Sequence, residues 1–135
     1  MNETLLLKIQ EFTIFLEKNL ALTNSIKRSA EDKKWTLMES YIENRERSIN
    51  IICSAQEKID ILINAVKASG LDDDTKEIIK SWAAQTNEWL KQTEILDQRI
   101  IVSLEEEKDI TTQQIIQTFK SKHAFSGYDL SNVAK

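Results

Sequence analysis

The residues that could do chemistry are few and badly spaced for it. His123 is the one histidine in the chain, so neither a Ser/His/Asp triad nor a zinc centre of several imidazoles has a second ring to draw on. Lys120 stands three residues before it, which rules out the inward-pointing Glu-x-x-His pairs of di-iron helical bundles. Glu105, Glu106 and Glu107 are adjacent, but consecutive helical side chains fan around the axis and cannot converge on one cation. They read as a solvated face. Gly70 and Gly127 are isolated, so no glycine-rich loop is available to cradle a phosphate. Cys53 lies among Ile51, Ile52 and Ala55 and reads as a small core residue rather than a nucleophile. A single cysteine allows no disulfide within the chain, as expected of a reducing compartment. No catalytic residue, cofactor or metal is expected, and the protein is expected not to be an enzyme.

Two kinds of residue remain that could specify contacts. Arg45 and Gln56 interrupt an otherwise apolar stripe; each can fix helix register, Arg45 by reaching the bundle edge or by pairing with an acid on a facing helix. Trp82 and Trp89, seven residues apart, share one helix face. They fit either a core or a peptide-binding groove.

These residues sit on long helices. Trp35, Met38, Ile42, Arg45, Ile49, Ile52, Gln56, Ile59, Ile63 and Val66 follow at alternating gaps of three and four, the period of a helix and not of a strand. A second, weaker stripe through Leu37, Tyr41, Ile51 and Leu62 widens the apolar face, and this helix is expected to be the central strut. Before it, Leu5, Ile9, Phe12, Leu16, Leu20, Thr23, Ile26 and Ala30 keep the same spacing. Leu7, Ile14 and Ala21, seven apart, are either extra core or a face for a partner or a second copy. Asp32 is expected to cap the strut, and Gly70 to stop it. Asp72 to Asp74 then open a third helix carrying Ile78, Trp82, Gln85, Trp89, Leu96, Ile100, Leu104, Ile110, Ile115 and Phe119.

The chain has 135 residues with two glycines and no proline, which leaves little to build hairpins from. The expected fold is all-α: an elongated antiparallel bundle of three long helices at about 3–30, 33–69 and 73–122, forming one domain over 1–122 with a short tail, 123–135. The third helix either continues as one rod or bends near Glu106 into a fourth. Net charge is −4 with bases scattered among acids, so nucleic acid is not an expected partner. The N-terminal apolar run is short and soon charged, so neither a signal peptide nor a membrane-inserted helix is expected.

Residues 35 to 51, WTLMESYIENRERSINI, resemble a signature of the flagellar type III export chaperones of the FliT and FlgN kind. In that family a tryptophan closes the first connection, an arginine follows ten residues on, and aliphatics surround both. The likeness continues in Ile95 to Ile101 with Leu104, similar to the family's aliphatic third helix. It ends in the run from Lys122 to Tyr128, similar to a lysine-rich segment that leads into a C-terminal tyrosine.

The resemblance implies a cytoplasmic chaperone that binds the C-terminal segment of a late flagellar subunit and delivers it to the type III export apparatus. FliT-like members escort the filament cap, and FlgN-like members escort hook-filament junction proteins. Cargo in this family docks along the groove of the C-terminal helices, which makes Ile95, Leu96, Ile100, Ile101, Leu104, Ile115 and Phe119 the expected partner-binding residues. Tyr128 matches the tyrosine that docks on the export gate. The family's terminal helix can fold over the groove and inhibit binding; the segment placed to do so here is Ile110 to Phe125. The chain is expected to be a monomer or a homodimer. A structural coiled-coil homo-oligomer without a client is the alternative.

Overall fold

The computed structural model describes residues 3–106 together with Gln114, Ile115, Gln117, Phe119 and Lys120. Three helices, α1 (Glu3–Glu31), α2 (Trp35–Ser69) and α3 (Asp73–Glu105), form an all-α up-down-up bundle. The described residues contain no strand.

Each helix buries one seam. In α2 the seam is Met38, Ile42, Arg45, Ile49, Ile52, Gln56, Ile59 and Ile63, the stripe read from its spacing. The other two seams run through residues that apolarity alone passes over. In α1 the seam goes through Asn19 and Thr23, and in α3 through Thr86, Thr93 and Asp97. Leu20 and Leu96, expected in those seams, are only half-buried and Gln85 is exposed. The inward positions run past them: from Leu16 the next is 19, and on α3 two successive gaps of four carry the seam from Trp89 to 93 and 97, past Leu96.

The helix that packs closely on both others is α1, not α2, and the α2 and α3 backbones stay further apart. The side chains explain the difference. The inward face of α1 includes the small residues Thr23, Ser29 and Ala30, which let backbones approach. Across the α2–α3 gap reaches the long side chain of Arg45, which meets Asp97.

The connections are set by local hydrogen bonding. At the end of α1, Lys34 N–H donates to Ser29 O (2.9 Å) and Lys33 N–H to Ala30 O (3.2 Å), the paired bonds of a Schellman stop. That stop needs a left-handed residue, and Lys33 supplies it at φ 58°. Asp32 is not the cap of α2, as the spacing had suggested; Lys34 holds that position without a side-chain cap bond. Replacing Lys33 with glycine removes the Cβ penalty of the left-handed conformation. The expected gain is about 0.5–1 kcal/mol, read as a higher urea midpoint at unchanged slope.

The second connection follows the sequence more closely. Gly70 ends α2 at φ 91°, where a side chain would be strained although the space around it is open. Asp72 then caps α3, its carboxylate accepting the Thr75 N–H at 2.7 Å. Hydrogen bonding with the Thr75 side chain, and then with its backbone N–H, holds the Asp72 carboxyl below its ordinary pKa, since these bonds favour the charged form. Asp73 and Asp74 add negative charge to the positive end of the helix.

Two apolar clusters stack along the bundle. One, near the α2–α3 turn, gathers Leu5, Phe12, Leu16, Ile52, Ile59, Trp82 and Trp89 with their neighbours. Phe12 meets Trp82 edge-on, ring centroids 5.8 Å apart. The other, near the α1–α2 turn, gathers Ile26, Ala30, Met38, Ile42, Ile100 and Leu104. Between them lies a buried polar layer of Asn19, Thr23, Arg45, Thr93 and Asp97.

Candidate functional site

The cluster near the α1–α2 turn is where the sequence placed its groove. Met38 and Ile42 come from the first turns of α2, Ile100 and Leu104 from the last turns of α3, and Ile26 and Ala30 from the end of α1. Each pair is spaced four apart, so each helix turns two side chains toward the same point. The three helices do not fill this end alone. Ile115 and Phe119 are buried in the same cluster, with Trp35, Tyr41 and Ile101 packed around it.

The chain reaches that position because α3 does not continue as a rod to residue 122. It ends at Glu105, with Glu106 as its C-cap. Lys120 Nζ lies 2.8 Å from Glu105 Oε1 across 15 residues of sequence, whereas 15 residues of straight helix would span about 22 Å. The chain has therefore turned back, and Gln114, Ile115, Gln117, Phe119 and Lys120 are helical. The two clusters differ in bulk. The other has two tryptophans from α3, whereas here α3 buries Ile100 and Leu104, with Ile101 packed alongside.

Below this cluster sits the Arg45–Asp97 pair. Arg45 Nη1 donates to Asp97 Oδ1 at 2.6 Å and Nη2 to Oδ2 at 2.8 Å, a bidentate fork between α2 and α3. Both side chains are buried, Asp97 completely. The guanidinium carbon lies 5.7 Å from the centroid of the Phe119 ring, so the returning segment rests on the ion pair. Arg45 thus pairs with an acid on a facing helix, one of the two roles open to it from the sequence. Asn19 Nδ2 donates to Ser48 Oγ at 3.3 Å and ties α1 to α2 in the same layer.

The expected partner-binding residues divide by direction. Ile100, Leu104, Ile115 and Phe119 come together, but in the core and against one another. In this conformation they offer no open groove, because the chain's own segment fills it. Ile101 and Leu96 flank the buried face and are half-buried. Ile95 is 54% exposed on the opposite side of α3, five residues and about 140° away from Ile100. Tyr128 and His123 lie outside the described residues. Trp82 and Trp89 are core, not groove; among the described residues their indole N–H groups meet no acceptor.

Asp97 was missed, although it belongs to this site. Spacing alone points beside it: continuing the alternating gaps from Trp82 through 86, 89 and 93 lands on Leu96, and 97 is reached only by a second gap of four, after which Ile100 and Leu104 follow. A second apolar feature stands apart on α1, where Leu7 and Ile14 are 55% and 50% exposed and Ala21 is exposed as well.

Among the described residues no group of three or more His, Cys, Asp or Glu side chains could hold a metal ion. No helix among them is long and apolar enough to cross a membrane. Comparison with protein-family models, with curated proteins and with solved structures gives no match.

Proposed function

We propose that this chain is a cytoplasmic flagellar export chaperone of the FliT kind. It binds the C-terminal segment of the filament cap subunit and delivers it to the type III export apparatus, with no catalytic step. One observation carries the reading. An apolar seat formed by three helices is completed by a short returning segment that buries Ile115 and Phe119 in it. A cover of two anchors and one exposed ion pair is replaceable, because an amphipathic helix from a partner, presenting anchors at the same spacing, can take its place. The resemblance in residues 35 to 51 and 95 to 104 supplies the identity of the partner. Escort of hook-filament junction proteins, as by FlgN-like members, is the nearest variant of this reading.

Making Ile100 and Leu104 polar is a poor test, since both are fully buried and the bundle would come apart. Phe119→Asp is cleaner, because it loosens the cover and leaves the three-helix core intact. Co-purification of the variant with the filament cap subunit is expected to increase severalfold over wild type. Unchanged or lost capture by a folded variant counts against the proposal, and capture of junction subunits instead moves the assignment to the FlgN-like variant.

The exposed Leu7 and Ile14 stripe favours a second reading, a homo-oligomer joined through α1. Light scattering at increasing dilution separates the two. A dimer that persists and dissociates on Ile14→Asp supports the oligomer.

A further inference from the structure

We propose that the seat at the α1–α2 turn selects its occupant by a specific pattern: an aliphatic residue, an aromatic ring four positions later, and a cation immediately after the ring. This rests on the chaperone reading and adds to it the side chains a client helix must carry. The chain's own segment displays the pattern. Ile115 and Phe119 enter the cluster formed by Ile26, Met38, Ile42, Ile100 and Leu104, and Lys120 reaches Glu105.

The aromatic position is the selective one. Both Nη groups of Arg45 are held by Asp97, so the guanidinium plane is fixed and cannot swing to meet a different occupant. Its charge is buried, and the Phe119 ring centroid lies 5.7 Å from its central carbon. A desolvated guanidinium attracts the negative face of an aromatic ring. A leucine would occupy the space without supplying that charge distribution. The aliphatic position needs only shape, and the cation position is exposed and weaker.

The test uses the full-length chain with Ile115→Asp and Phe119→Asp, which empties the seat. The probe is a fluorescein-labelled synthetic peptide of residues 111–122. One-to-one binding is expected, with far weaker binding to wild type, whose seat is filled. Phe119→Leu in the peptide should weaken binding roughly tenfold, and Lys120→Glu about two- to threefold. Should the double variant fail to fold by circular dichroism, the Phe119→Ala chain serves as host. Absence of peptide binding to a folded host overturns the proposal, as does equal affinity for the Phe119→Leu peptide. Filament-cap capture is scored separately. If capture is lost while the peptide still binds, the chaperone reading fails and the seat stands. If capture persists without any preference for the aromatic peptide, the reverse holds.

Discussion

Asp97→Leu is expected to destabilise the protein by about 3–5 kcal/mol, because it leaves the Arg45 guanidinium buried without its counter-ion. In a domain of this size that corresponds to a fall in Tm of roughly 10–20 °C. Arg45 has no easy escape, since its head group is enclosed between α2, α3 and Phe119. Replacing both partners, as Arg45→Met with Asp97→Leu, should return stability to about the wild-type value or above it, since a buried pair repays its desolvation poorly. Urea denaturation of the two single variants and the double variant measures the coupling. The same double variant separates stability from recognition. It should fold well and yet hold the returning segment less tightly, the ring having lost its cation. Additive single effects would show that the two groups do not depend on one another.

Phe12→Ala is expected to cost about 3–5 kcal/mol, in the range for emptying a core aromatic site. Phe12 is fully buried and edge-on to Trp82, and that cluster draws on all three helices, so its neighbours cannot collapse into the space. Phe119 is also buried, but it belongs to the returning segment. Phe119→Ala should release that segment before it unfolds the bundle, and its cost is limited to the free energy of docking. Thermal unfolding by far-ultraviolet circular dichroism should therefore show a large shift for Phe12→Ala and a small one for Phe119→Ala. Equal shifts would mean that the segment is part of one cooperative core.

The α2 seam could be read directly, because eight inward positions at unbroken spacing include only Arg45 and Gln56 as polar members. The α3 seam was harder, since three of its inward positions are Thr86, Thr93 and Asp97. A reader who follows apolarity drifts to Leu96, one position from Asp97 and about 100° around the helix. Asp97 was hidden for a physical reason: a buried acid becomes acceptable only when its partner is known, and that partner lies 52 residues away. The return of the chain after Glu105 was half-legible. The charged stretch around Glu106 marks a weak point, but only the space left between α2 and α3 explains why the chain folds back. Nor could spacing show that α1 would be the helix packed against both others. That follows from the small residues on its inward face.

The most direct test is a hydrogen-exchange footprint of the filament cap subunit's C-terminal segment on this protein. Exchange reads local opening along the chain. The account predicts slower exchange around residues 38–42 and 100–104 on binding, together with faster exchange around 114–120 as the chain's own segment is displaced. Slowed exchange confined to the Leu7 and Ile14 face, with residues 114–120 unchanged, would contradict it.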